Sequence, residues 1–162
     1  MRAFVLAVSA LAASGAIAMS LATAPAQAAT SHDKVEYLST EQTRKLNRPF
    51  SEAVRVGNIL YLAGVTGVAP GGSQPVPGGI EAETKQVLEN ISAVLQRNGS
   101  SMDQVVKCTV MLADIGEWAR MNTVYVTFFP KHFPARSAMG VSGLAGGARV
   151  EIECLATVGA AG

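Results

Sequence analysis

The feature that most constrains this chain is an alternation near its end. Val150, Ile152, Cys154 and Ala156 fall on one side of an extended backbone, and Arg149, Glu151 and Glu153 fall on the other. Such a strand is buried on one face only, so its sheet has a core on one side and a polar surface or a second subunit on the other. Only two stretches upstream have a helical period, and two helices cannot cover both faces of a sheet. The expected architecture is therefore α+β, with two helices packed on one face. Oligomerisation is the economical way to cover the other.

The remaining elements follow from local signals. Ala53-Val-Arg-Val56 and Ile59-Leu-Tyr-Leu-Ala63 flank Gly57-Asn58, a pairing suited to a tight hairpin turn. Residues 67–79 are too rich in glycine and proline for a helix or a central strand and read as a surface loop. Those glycines form neither a dinucleotide fingerprint nor a Walker pattern with its lysine. Between residues 81 and 98 the apolar Val87, Ile91, Val94 and Leu95 recur at helical spacing, and Gly99 follows as a stop. Residues 105–113 are β-branched and apolar and read as a buried strand. Asp114 is the expected N-cap of a second helix over about 115–128, with Glu117 completing a capping box and Pro130 ending the segment. Trp118, Met121, Tyr125 and Phe128 form one stripe of that helix and are read as core. Two strands, 136–141 and 149–158, close the order, joined by the glycine-rich residues 143–147.

The N-terminus reads as an export signal. Arg2 supplies a positive start, residues 4–21 are apolar apart from small residues, and Ala26-Gln27-Ala28 has the small-x-small pattern of a cleavage site. The expected organisation is a signal peptide over 1–28, a polar leader segment over 29–48, ordered late or weakly, and one domain over 49–160. The protein would then be periplasmic or secreted, with no membrane association after cleavage. Without Arg2, 12 of the 13 basic residues remain against 12 acidic ones. A net charge of zero lacks the cationic footprint of non-specific nucleic-acid binding. Cys108 and Cys154 both lie in apolar segments. The compartment permits a disulfide, but lone apolar cysteines usually behave as small hydrophobes, and free thiols are slightly favoured. Two histidines, His32 and His132, are too few and too far apart for a metal cluster, so no metal is expected.

No nucleophile elbow is present, since Leu144 stands where the second glycine after Ser142 belongs. Charged residues of the last two strands are the best candidates for chemistry. Arg136 opens a strand after Pro134-Ala135, where its planar fork would suit a carboxylate. Glu151 on the adjoining strand could orient a water or accept its proton. The plain alternative is a cross-strand ion pair, worth at most about 1 kcal/mol, and spacing alone favours it.

Four separated segments change that weighting. Phe133-Pro-Ala-Arg-Ser137, with Val150-Glu-Ile-Glu153 behind it, resembles the C-terminal signature of the RidA/YjgF family. Arg48-Pro-Phe-Ser-Glu-Ala-Val54, Leu60-Tyr-Leu-Ala-Gly64 and Met121-Asn-Thr-Val-Tyr125 resemble three further segments of it, in the family's order. The resemblance implies a chorismate-mutase-like, RidA-like α/β (α+β) fold with a mixed sheet. It implies a homotrimer with a central barrel and a ligand cleft at each subunit interface. It also implies cofactor-independent hydrolysis of reactive enamines and imines (2-imino acids) to 2-keto acids and ammonia. On that model Arg136 binds the substrate carboxylate and Glu151 positions the attacking water, as catalytic residues, while Phe50, Gly64 and Asn122 complete the substrate site. Phe50, Ala63 and Ala138 stand where the family has Tyr, Ser and often Cys, so a phenol, a hydroxyl and a thiol are missing from this site. Those losses leave a second expectation, a trimer that binds small carboxylates without turnover or acts as a chaperone-like protein of the cell envelope.

Overall fold

The computed structural model describes residues 34–159. The export signal expected over 1–28 lies outside them. The elements in chain order are β1 (Val35–Leu38), α1 (Glu41–Lys45), β2 (Ala53–Val56), β3 (Ile59–Leu62), β4 (Val65–Thr66), α2 (Gly79–Arg97), β5 (Val105–Leu112), α3 (Trp118–Tyr125), β6 (Ala135–Gly140) and β7 (Val150–Thr157). They form one seven-stranded sheet in the order β1-β2-β3-β7-β5-β6, with β4 also paired to β7. The sheet is mixed: β5 and β6 are parallel, joined through α3, and the other pairs are antiparallel. The expected hairpin is present, with Val56 opposite Ile59 and Gly57 at φ 58° in the turn.

Both long helices lie on one face. The apolar side of α2 (Ile80, Val87, Leu88, Ile91 and Leu95) and Met121 and Tyr125 of α3 are buried in one cluster with the sheet. The sheet contributes Leu60 and Leu62, Cys108, Val110 and Leu112, and Val150, Ile152, Cys154 and Ala156. The alternation of β7 is thus realised, with its even-numbered residues in the core and Glu151 and Glu153 on the helix-free face. Arg149, just before the strand, departs from that pattern. Its guanidinium turns to Glu117 at 2.6 and 3.0 Å, and its backbone N–H donates to Glu83 at 2.8 Å. Glu83 and Glu117 are both buried, so these bonds supply the partners that buried carboxylates require.

Five expectations are corrected. The leader segment contains two ordered elements from Val35 onward. β1 pairs with β2 over Val35↔Val56 to Leu38↔Ala53, and α1 is capped by the Thr40 hydroxyl. The Glu52 carboxylate ties this segment down, accepting from the hydroxyls of Thr40 and Thr43, the Thr40 N–H and Arg97. The second helix is shorter than its period suggested, with single 3-10 turns at Ile115–Glu117 and Val126–Phe128 on either side of α3. Asp114 does cap, accepting from the Gly116 N–H at 2.8 Å, but Glu117 is spent on Arg149 rather than on a capping box. The stripe of α3 is only partly core, because Trp118 is 44% exposed. Finally, Cys108 and Cys154 are joined in a disulfide. They are directly opposed across β5 and β7, which gives them the proximity a bridge needs.

Two outcomes follow. The bridge closes a separation of 46 residues, for which loop entropy suggests about 4 kcal/mol. The paired Cys108→Ser, Cys154→Ser variant should lose most of that in denaturant unfolding, and reductant should then have no further effect on it. Burial pushes the Glu52 carboxyl up, but the Thr43 and Thr40 hydroxyls, Arg97 and the Thr40 N–H together hold it below the ordinary carboxylate range. Its contribution is therefore present at neutral pH and is lost as pH falls through that lowered value. Amide resonances of Val35–Leu38 should collapse toward random-coil positions on acidification before those of β5 and β7, and Glu52→Gln should reproduce this at pH 7. Simultaneous loss of all three strands would contradict the assignment.

Candidate functional site

The structure places the expected site residues in two groups on opposite faces of the sheet. Parallel pairing puts Arg136 of β6 beside Cys108 of β5, on the helix-covered face. Glu151 of β7 lies opposite Met111 of β5 and Thr66 of β4, three residues from Cys154 and therefore on the helix-free face. The cross-strand ion pair that spacing favoured does not form, and Arg136 and Glu151 do not share a cleft within one chain.

The first group is built around Arg136. Helical spacing in α3 puts Trp118, Asn122 and Tyr125 on one stripe, at i, i+4 and i+7. All three reach the arginine. Its Nη1 donates to Asn122 Oδ1 at 2.7 Å, and its Cζ lies 4.6 Å from the centre of the Tyr125 ring and 5.8 Å from that of Trp118. No carboxylate of the described residues lies within ion-pair distance of Arg136, and its Nε and Nη2 have no protein partner among them. That leaves the Nε–Nη2 edge, two parallel N–H groups, free for a bidentate carboxylate. Burial raises the pKa of the Tyr125 hydroxyl, opposed by the Arg136 charge, so it stays protonated at neutral pH. Ala138, two residues along β6 on the same face, packs against the core.

The second group lies at the end of the hairpin. Gly64 backs onto the Glu151 side chain so closely that a Cβ there would overlap the carboxylate Oε1. The glycine is required by this approach. Ala63 N–H donates to Glu52 O at 3.0 Å, which extends the β2–β3 pairing by one step beyond Ala53 and Leu62. Phe50 is half exposed, with the Arg48 guanidinium 5.8 Å from its ring centre. It opens onto a groove of about 640 Å³ that Tyr37, Thr43, Arg48 and Val54 also line. Within one chain Gly64 belongs with Glu151 and Asn122 with Arg136, while Phe50 lines a groove that holds none of these four.

Sequence reasoning found Asn122 only through resemblance, and it read Tyr125 and Trp118 as core. The signal was present in the 118, 122, 125 spacing, but only the register of β6 on β5 shows that an arginine fills the gap beside it.

Residues 40–158 match the family model described as Endoribonuclease L-PSP. The chain is 43% identical over 122 residues to the 2-iminobutanoate/2-iminopropanoate deaminase of Bos taurus, covering 75% of this chain and 89% of that protein. It is 38% identical over 125 residues to the chloroplastic Reactive Intermediate Deaminase A of Arabidopsis thaliana, covering 77% and 67%. Among solved structures, RidA from an Antarctic Psychrobacter superposes with a TM-score of 0.66 at 32% identity, over 79% of this chain and 99% of that one. Yeast Mmf1 does so with a TM-score of 0.66 at 35% identity, over 68% and 88%. The chain belongs to the family of that model, the RidA/YjgF proteins, as its four sequence segments indicated.

The contact at Gly64 yields a sharp expectation. The overlapped atom is the end of a flexible side chain, so Gly64→Ala should change the unfolding midpoint little while displacing the Glu151 carboxylate. Activity or ligand binding that depends on Glu151 should fall about tenfold or more. An unchanged Glu151 position in a structure of the variant would contradict this.

Proposed function

We propose that the chain hydrolyses the imine of small 2-imino acids, giving the 2-keto acid and ammonia without a cofactor. The single observation behind this reading is the state of Arg136. It is a half-buried guanidinium, braced through one nitrogen by Asn122 and by two aromatic rings, with its other edge unpaired. An unpaired, preorganised arginine edge is costly to keep and fits a carboxylate. The Bos taurus relative is named for substrates of that kind, 2-iminobutanoate and 2-iminopropanoate.

In the proposed reaction Arg136 holds the substrate carboxylate beside the imine carbon. Glu151 orients a water and takes its proton as the oxygen attacks that carbon. That proton passes to nitrogen, giving a carbinolamine; Glu151 then takes the proton of its new hydroxyl and delivers it to the nitrogen, so that the C–N bond breaks, the carbonyl forms and ammonia leaves. Since Arg136 and Glu151 face opposite sides of the sheet, the reading requires that one copy supply the arginine and another the glutamate. A homotrimer whose helix-free faces turn inward would do this. It would also cover Tyr37, Tyr61 and Met139, large apolar side chains that a single chain leaves exposed on that face. We propose separately, from the N-terminal pattern, that the protein is exported with the segment over 1–28 as its signal. The buried Cys108–Cys154 bridge supports an oxidising compartment. Neutral charge disfavours nucleic acid as a partner.

The test is ammonia release from an imino acid generated in the cuvette. The protein should accelerate release over buffer, and Arg136→Ala and Glu151→Gln should each lower kcat/KM by about a hundredfold or more. The arginine variant should lose chiefly affinity and the glutamate variant chiefly kcat. Absence of acceleration by the intact protein would overturn the proposal. Calorimetry showing 2-keto acid binding that depends on Arg136 would then identify a binding protein.

A further inference from the structure

We propose that Tyr125 is a positioning residue for Arg136, and that it acts through the face of its ring rather than through its hydroxyl. The inference rests on the reading of Arg136 as the carboxylate-binding group. Tyr125 is 3% exposed, and its ring packs on Phe129 at 4.8 Å between centres, so the ring is immobilised from within. The Arg136 Cζ lies 4.6 Å from the ring centre, the closest guanidinium–aromatic approach among the described residues. A guanidinium at that distance from a fixed aromatic face is held by its charge and its plane together. One hydrogen bond, from Nη1 to Asn122, fixes a point but leaves rotation about it. The ring restricts that rotation and so sets the direction of the free Nε–Nη2 edge.

The hydroxyl has a different status. Tyr125 Oη is buried without a hydrogen-bond partner among the described residues. A buried hydroxyl in that state does not stabilise the fold, and removing it should do no harm. The ring is the part in use, which separates two substitutions that a purely structural role would rank only by size.

The test follows the Arg136 Nε–H resonance by NMR, assigned by its loss in Arg136→Lys, together with calorimetric binding of 2-ketobutyrate to the full chain. In the wild type and in Tyr125→Phe the resonance should be shifted by the ring. In Tyr125→Leu it should move to the position of an exposed arginine. Binding should weaken about five- to tenfold in Tyr125→Leu and less than about twofold in Tyr125→Phe. The thermal midpoint of Tyr125→Phe should not fall. Added to Arg136→Lys, Tyr125→Leu should cause no further loss of binding, because its effect runs through the arginine. A resonance unmoved in Tyr125→Leu, equal losses in the Phe and Leu variants, or losses that multiply in the double variant would each overturn the proposal. If the resonance behaves as expected but the wild type turns over no imino acid, the deaminase reading fails and the positioning role stands.

Discussion

β7 is hydrogen-bonded to β3, β4 and β5, and the rest of the molecule is arranged around its alternation. Val150, Ile152, Cys154 and Ala156 meet the two helices, and Glu151 and Glu153 are excluded from that core. A slip of one residue would put two carboxylates under α2 and four apolar side chains in water, so the register is strongly determined. The disulfide adds a covalent pin at Cys108–Cys154. With β7 fixed, the register of β5 follows, then that of β6, and with it the face on which Arg136 stands. The same constraint that makes the core also separates the two candidate catalytic residues.

That separation gives the fold its functional logic. Arg136 stands on an edge strand, turned toward α3, where Asn122, Tyr125 and Trp118 hold it. Glu151 stands on the other face, pressed against Gly64. On the proposed reading each half is incomplete by itself, and a working site combines the arginine of one copy with the glutamate of another. The groove beside Phe50 is walled by residues of β1 and α1, so the carboxylate of Glu52 that anchors them also shapes it.

Much of this was legible from local signals. The Gly57-Asn58 turn, the amphipathic face of α2 and the alternation of β7 are set by residues within one element, and each appears where its pattern puts it. What was not legible depends on pairings between distant segments. β1 is a half-exposed edge strand whose order comes from β2 and Glu52, and its Val-Glu-Tyr-Leu is hidden within a longer stretch rich in Lys, Glu, Thr, Arg and Asn that reads as a polar leader. The disulfide needs Cys108 and Cys154 opposed across two strands, and the spacing of 46 residues says nothing about that. Glu117 looked like half of a capping box until Arg149, 32 residues away, claimed it. The roles of Arg136 and Glu151 came from resemblance, and their placement on opposite faces came only from the sheet register.

The central claim is that a working site takes Arg136 from one copy and Glu151 from another. Mixing two inactive variants, Arg136→Ala and Glu151→Gln, tests it directly when they are refolded together as mixed assemblies. Random mixing in a ring of identical contacts makes one site in four wholly native, so about a quarter of the wild-type rate of ammonia release should return. If both residues had to come from the same chain, every site would lack one of them. The mixture would then stay as inactive as its components, and the account would be contradicted.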